Sequence, residues 1–308
     1  MTDLHLPTIP AFTRTRLAPT PSGFLHPGNV LSFLLTAALA EKHGASVLLR
    51  IDDLDRERAD DVYVQDIFDT LRFLEIRWDE GPQSLNEYHA LYSQLHRLTL
   101  YDAALNRLRL GGHLFACTCS RAQILRASAD GSYPGTCRNR RISLDHPGVN
   151  WRLLTPDDLT VELRKGDGTL IRSGLPAQMR DFVVRKKDGL PAYQLSSVVD
   201  DEYFRVDMVV RGQDLWPSTL AQLYLGTLLD SPFTAARFVH HRLLLDRDGN
   251  KLSKSAGSRS VRHFRKEGRT PADLLSELSR LLGRDLPVTN ATEFMTRFEG
   301  LLMEEAIL

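Results

Sequence analysis

Two short segments carry residue types that suit phosphate chemistry. The first, Gly23-Phe-Leu-His26-Pro-Gly28-Asn29, falls where a strand pattern hands over to a helix pattern. Backbone amides and the helix dipole can receive an anion at such a place. Its G-x-x-x-x-G spacing is that of a P-loop, but Asn29 and Val30 stand where Lys and Ser or Thr are required, and no G-x-G-x-x-G occurs. Walker-type and dinucleotide readings therefore fail. The second segment, Lys251-Leu-Ser-Lys254-Ser255, follows the turn residues Asp246-Arg-Asp-Gly-Asn250. Two lysines three apart can neutralise charge developing on transferring phosphates without covalent chemistry. Alone, each segment has a plainer explanation, since a lone histidine is more often structural and a lysine-rich loop is usually solvated.

Two further groups suit ligand binding. Cys117, Cys119 and Cys137 are too few, too clustered and odd in number for a disulfide framework, so their spacing points to a metal. Arg16 and Arg211 offer planar forks that pair bidentately with carboxylates better than lysine does.

The elements that must hold these residues read as α/β. Residues 14–18 are a strand candidate, followed by breakers and by a helix from Pro27 to its stop at Gly44. Residues 46–51 have the aliphatic texture of a buried parallel strand, and helical patterns follow at about 60–75 and 87–110. From Leu114 to about Lys187 the texture changes to short extended pieces, among them 159–164 and 182–185, between Gly, Pro and Asp turns. Alternation resumes with a strand at 208–211, a helix near 215–229 and a strand at 238–245. Helical patterns at about 271–282 and 291–304 follow. The expectation is a parallel sheet with an inserted subdomain. In residue ranges, 1–113 and 191–256 form the halves of the α/β domain, 114–190 the insert, and 257–308 a short helical region.

Composition sets the outer limits. The 308 residues are 42% hydrophobic and 25% charged, values of an ordinary globular chain and not of a disordered or fibrous one. No stretch approaches the ~18 apolar residues of a membrane span, and the N-terminal residues lack a signal-peptide core, so a cytoplasmic protein without membrane attachment is expected. Thirty-nine basic residues balance thirty-nine acidic ones. Locally the balance fails: residues 52–69 hold eight carboxylates against two arginines, whereas residues 251–269 hold seven basic side chains against Glu267. Such asymmetry suits a polyanion near the second stretch, or else two solvated faces.

Taken together, the His26-Pro-Gly-Asn29 and Lys251-Leu-Ser-Lys254-Ser255 segments resemble the two ATP-binding signatures of class I aminoacyl-tRNA synthetases, in the expected order. Arg16-Leu-Ala-Pro-Thr-Pro-Ser-Gly23, Arg50-Ile-Asp-Asp-Leu-Asp55, Tyr193-Gln-Leu-Ser-Ser-Val-Val-Asp-Asp201 and Val210-Arg-Gly-Gln-Asp214 narrow the likeness to the glutamyl-tRNA synthetase catalytic domain, over most of residues 14–256. The resemblance implies a Rossmann-like class I catalytic domain with an inserted zinc-containing subdomain. It assigns His26, Lys251 and Lys254 to catalysis and His26, Gly28, Asn29 and Lys254 to ATP. Arg16, Leu17, Ala18, Pro19, Thr20, Asp52, Tyr193 and Arg211 fall to L-glutamate, with Arg16 at its side chain. Asp52 replaces the Glu usual at that place, keeping the charge but shortening its reach by one methylene. Cys117, Cys119, Tyr133 and Cys137 resemble the family's structural Zn²⁺ site of three cysteines and a tyrosine, one ion per chain, although water or His146 could supply the fourth ligand. Mg²⁺ would accompany ATP.

About fifty residues follow the lysine motif, without the anticodon-reading region of glutamyl-tRNA synthetases. The chain in this respect resembles the branch that activates glutamate without tRNA and attaches it to the queuosine base of tRNA(Asp). A monomer is expected. Basic side chains at 251–269 and at Arg138, Arg140 and Arg141 are candidates for RNA contact. Three other readings use the same residues differently: a compact enzyme charging tRNA(Glu), a small-molecule adenylyltransferase, and an inactive tRNA-binding module.

Overall fold

The computed structural model describes residues 9–244 and 260–304. In chain order the elements begin with β1 (Arg14–Leu17), α1 (Pro27–His43), β2 (Ser46–Leu49), α2 (Asp61–Phe73), the short α3 (Leu85–Glu87) and α4 (Leu98–Leu110). Next come β3 (Leu114–Cys117), α5 (Arg121–Ala127), β4 (Asn150–Leu153), β5 (Thr160–Lys165), β6 (Leu170–Gly174) and β7 (Val183–Arg185). The rest are α6 (Tyr193–Tyr203), β8 (Met208–Gly212), α7 (Trp216–Leu228), β9 (Arg237–His241), α8 (Val261–Lys266), α9 (Pro271–Leu281) and α10 (Ala291–Glu304). They pack as two compact units. One takes in the described residues up to Gln94, Asp207–Asp214 and those from Phe238 onward; the other holds Leu95–Val206 and Leu215–Arg237. Among the described residues no helix is long and apolar enough to cross a membrane.

In the first unit β1 and β2 pair in parallel, with Arg14 opposite Ser46 and Leu17 opposite Leu49. A parallel pair needs a crossover connection, which α1 supplies. Pro27 opens α1 and Gly44 closes it in the left-handed region at φ 63°, a conformation glycine adopts without a Cβ clash. Val30, Leu31, Leu34, Leu35 and Leu39 of α1 enter one core with Val47 and Leu49 of β2, Ile67, Phe68 and Leu71 of α2, and Met208 and Val210 of β8. The Asp207 carboxylate accepts from the backbone amides of Thr13 and Arg14 at 2.9 and 2.8 Å, fixing the start of β8 beside β1.

A single helix over 87–110 is not what forms. The chain makes a wide turn at 88–92, becomes extended at Ser93, and re-enters helix through a tight turn at Gln94–Arg97 that leads into α4. The cause is Asp53, fully buried just past β2, which accepts from the Tyr88 hydroxyl at 2.7 Å, the Ser93 hydroxyl at 2.6 Å and the Gln94 amide at 2.9 Å. Satisfying a buried carboxylate outweighs continuing the helix.

In the second unit β3, β4 and β7 form an antiparallel sheet, and β5 and β6 a hairpin with Thr160 opposite Gly174. These are the short extended pieces read from the sequence. Helices α5 and α6, hidden there by turn-rich or polar composition, also form, as does α8 in the first unit. The buried Asp200 of α6 accepts from Arg97 at 2.7 and 3.1 Å and from the Tyr101 hydroxyl at 2.7 Å, tying α6 to the start of α4.

Candidate active site and metal centre

His26 is the N-cap of α1. Its Nδ1 accepts the Gly28 amide at 3.1 Å, while the Asn29 side-chain oxygen accepts the His26 amide at 3.1 Å, a reciprocal cap. A Cβ at Gly28 would stand 3.0 Å from the imidazole Cε1, so a larger residue would press on the capping ring. With Nδ1 acting as acceptor, the neutral ring carries its proton on Nε2. The arrangement is a ring N–H donor at the positive end of a helix, where an anion is favoured. Asn29 has a local duty that the sequence left unassigned, since a histidine N-cap lies outside the usual capping pattern.

On the same unit β1 runs into Ala18, Pro19 and Thr20. Leu17 and Pro19 carbonyls accept the Arg50 and Asp52 amides at 2.9 and 3.0 Å, so this loop and the residues after β2 are stitched together. Arg16 and Arg211 are both buried, on β1 and β8, and Arg16 Nη1 donates to the Val210 carbonyl at 3.3 Å. The Arg211 guanidinium lies 5.8 Å from the Phe238 ring centroid. Two buried guanidinium groups on adjoining strands make a place suited to carboxylates. Burial, with the Arg211 and His241 charges adding to it, pushes the neighbouring His240 down to about 3, so this histidine is neutral.

Asp52 is buried and held by Arg50, Nε to Oδ1 at 2.7 Å and Nη2 to Oδ2 at 3.0 Å. Tyr193, the first residue of α6 in the second unit, is 41% exposed, so a buried structural role does not account for it.

Lys251 and Lys254, with the whole lysine motif, lie outside the described residues. The residues flanking it are tied to the start of α1. His241 Nδ1 donates to the Arg242 carbonyl at 2.8 Å, which leaves Nε2 to accept from the Ser32 hydroxyl at 2.6 Å. On the other side the Val261 amide donates to the Leu25 carbonyl at 2.9 Å. Arg265 pairs with Asp66 and, at 3.3 Å, with Asp69; the Arg262 guanidinium lies 4.3 Å from the Phe24 centroid, and Arg269 reaches Glu277 at 3.4 Å. Part of the charge asymmetry read from the sequence is thus resolved inside the unit, and these three arginines are weaker candidates for RNA contact than their number suggested. Arg138 is likewise engaged, with Asp181 and with the Thr155 carbonyl at 2.9 Å, whereas Arg140 and Arg141 are exposed.

The sulfurs of Cys117, Cys119 and Cys137 all lie within 4.8 Å of one another, and those of Cys119 and Cys137 are 3.6 Å apart. Around Zn²⁺ with bonds of about 2.3 Å, tetrahedrally placed sulfurs stand roughly 3.8 Å apart. The residues therefore fit the ion. Cys117 ends β3 and Cys119 precedes the Ser120 cap of α5; Gly135, at φ 75°, turns the chain so that Cys137 returns to them. The Tyr133 hydroxyl accepts the Cys137 amide at 2.7 Å, which places its oxygen at the cluster. Burial pushes the Cys119 thiol up to about 11 and the Tyr133 hydroxyl up as well. Burial opposes ionisation of Cys137 too, but hydrogen bonds from Thr118, Cys119 and Tyr133 outweigh it and bring this thiol down to about 7. His146 bonds the Pro147 carbonyl at 2.8 Å and is not part of the group.

Residues 13–144 and 161–305 match the family described as tRNA synthetases class I (E and Q), catalytic domain. Over 97% of this chain and 93% of its own length, a Glutamyl-Q tRNA(Asp) synthetase of Nocardia farcinica is 36% identical; another from Symbiobacterium thermophilum is 37% identical over 87% and 86%. A glutamate--tRNA ligase 2 of Syntrophus aciditrophicus is 33% identical over 92% of this chain, which spans only 61% of that protein. Among solved structures, a glutamate-tRNA synthetase from Elizabethkingia anophelis superposes with TM-score 0.73 at 23% identity, covering 94% of this chain and 66% of that one, a likeness of fold.

Proposed function

We propose, because this chain belongs to the class I tRNA synthetase (E and Q) catalytic-domain family, that it activates L-glutamate with ATP, without needing tRNA, and attaches it to the queuosine base in the anticodon of tRNA(Asp). What supports glutamate is the pair of buried arginines, Arg16 and Arg211, on adjoining strands that both pack against α1, the helix capped by His26. What supports the queuosine acceptor is similarity along 93% and 86% of two proteins named Glutamyl-Q tRNA(Asp) synthetase.

In the first step the glutamate α-carboxylate attacks the α-phosphorus of ATP; a new O–P bond forms, the bond to the β-phosphate oxygen breaks, and pyrophosphate leaves. No side chain acts as nucleophile, so catalysis consists of positioning and charge. His26 donates from Nε2 to the phosphate oxygens, with the Gly28 amide holding the ring and Asn29 the His26 main chain. Lys254 offsets charge on the phosphorus centre, and Lys251 charge on the leaving pyrophosphate. Mg²⁺, when bound with ATP, shares the phosphate charge. Arg16 meets the side-chain carboxylate of glutamate, Leu17, Ala18, Pro19 and Thr20 line the pocket, and the Asp52 carboxylate, held in place by Arg50, faces the ammonium. Arg211 is a second partner for the substrate carboxylates, and Tyr193 is assigned to glutamate by the family resemblance alone. In the second step a hydroxyl of the queuosine cyclopentenediol ring attacks the glutamyl carbonyl, and AMP leaves.

Cys117, Cys119, Cys137 and Tyr133 would hold one Zn²⁺, whose part is structural: it pins β3 to the loop around Cys137. The enzyme acts in the cytoplasm as a monomer. Glutamate-dependent exchange of pyrophosphate into ATP, measured without RNA, tests the first step. Exchange with glutamate alone among the amino acids is expected; no exchange with any of them would point to an inactive RNA-binding module.

A further inference from the structure

Three thiolates and a phenolate around Zn²⁺ leave two excess negative charges, and burying uncompensated charge is costly. The second unit places two cations against the cluster. Arg152, only 6% exposed, lies with its guanidinium carbon 3.7 Å from the centroid of the Tyr133 ring. That is well inside the reach of a cation–π contact. The Lys187 ammonium donates at 2.7 Å to the carbonyl of Thr118, the residue between Cys117 and Cys119.

Strand pairing delivers Arg152 to this place. In the β3–β4 ladder Cys117 stands opposite Asn150 and Phe115 opposite Arg152. Residues two apart share a face of the sheet, so Arg152 rises across from Phe115 on the side of Cys117. Phe115 and Tyr133 lie 6.1 Å apart, completing a small apolar wall around the sulfurs. Arg152 Nη1 donates to the Asp181 main-chain carbonyl at 2.7 Å, a neutral acceptor that leaves its charge available to the cluster. The nearer-in-sequence Arg138, by contrast, is paired with the Asp181 carboxylate.

We propose that Arg152 is a charge-balancing and positioning residue of the metal centre. It holds the Tyr133 ring so that its oxygen reaches the ion, and it offsets the excess negative charge, with Lys187 as a weaker second partner. This rests on the metal reading of Cys117, Cys119, Cys137 and Tyr133. Arginine suits the task because its charge is permanent and its planar group stacks on a ring, which an ammonium does less well.

The test is zinc affinity of the full chain, measured by competition with a chromophoric chelator, together with the visible spectrum of the Co²⁺-substituted protein. Arg152→Gln is expected to weaken zinc roughly 10- to 100-fold, as loss of an outer-shell partner does, and to shift the Co²⁺ bands in the direction that Tyr133→Phe shifts them. Arg152→Lys should recover part of the affinity and keeps the test open if the glutamine variant folds poorly; Lys187→Met should cost less than Arg152→Gln. In a Tyr133→Phe background the effect of Arg152→Gln should shrink, since the ring-positioning role is gone and one of the two excess negative charges with it. Wild-type zinc affinity in Arg152→Gln, or an undiminished loss in the Tyr133→Phe background, would overturn the proposal. A wild-type chain that binds no zinc would remove the metal reading itself, and the inference with it.

Discussion

Arg50 grips Asp52 with two hydrogen bonds, at 2.7 and 3.0 Å, and both side chains are buried where the chain leaves β2. The aspartate therefore belongs to a buried ion pair before any substrate arrives. Removing one partner of such a pair strands the other charge, at a cost of about 3–5 kcal/mol. Asp52→Ala is expected to lose stability on that scale in urea unfolding, and Asp52→Asn less because it keeps hydrogen bonds. If the pair also meets the glutamate ammonium, Asp52→Asn raises the glutamate KM by roughly ten- to a hundredfold, the worth of a charged hydrogen bond, with the ATP KM near wild type. An unchanged glutamate KM would show that another group binds the ammonium.

His26 has a structural and a chemical duty that one substitution can separate. Asparagine is a favoured N-cap, so His26→Asn should leave unfolding within about 0.5 kcal/mol of wild type. It removes the Nε2 donor, and loss of a preorganised donor costs about 10²–10³ in rate. Pyrophosphate exchange at saturating substrates should fall by that factor, whereas His26→Ala should fall as far and lose about 1 kcal/mol of stability besides. Full exchange activity in His26→Asn would confine the histidine to capping.

How much of this the sequence disclosed depended on range. Helix α1 was legible end to end because Pro27 and Gly44 are local signals, and β2 and β8 stood out as aliphatic runs. The break at Ser93 was not, since its cause is Asp53, some forty residues earlier and paired only once the chain has folded. The same holds for Arg265 and Asp66: in sequence they belong to opposed charge clusters, and in space they neutralise each other. The three cysteines were legible by type and spacing, but Arg152 reaches Tyr133 only through the register of two strands.

Acid should weaken the first unit through His240. Burial, reinforced by Arg211 and His241, lowers this histidine from 6.5 to about 3. The folded value is depressed, so the unfolded chain takes up a proton that the folded one refuses: the stabilisation is complete above about pH 6.5 and is lost as the pH falls toward 3. One such group contributes at most about 1.4 kcal/mol per pH unit to the slope. Urea unfolding between pH 7 and 5 should show stability falling with acid, and His240→Gln should reduce the slope by about one proton; an identical slope would place the proton uptake elsewhere.

Metal removal offers an independent check on the Cys117, Cys119 and Cys137 cluster. Protein purified without added metal should carry close to one zinc per chain, and Cys137→Ser close to none. Stripping the ion with a strong chelator should lower the melting temperature by about 5 °C or more, because a structural ion contributes directly to folding. A folded, active and metal-free wild type would contradict a structural zinc.

The identity of the acceptor separates modification of queuosine from ordinary charging. Radiolabelled glutamate, ATP and the purified enzyme should be incubated with tRNA(Asp) containing queuosine, the same tRNA lacking it, and tRNA(Glu). Label on queuosine-containing tRNA(Asp) alone is the predicted result; label on tRNA(Glu) would contradict it and make this a compact charging enzyme.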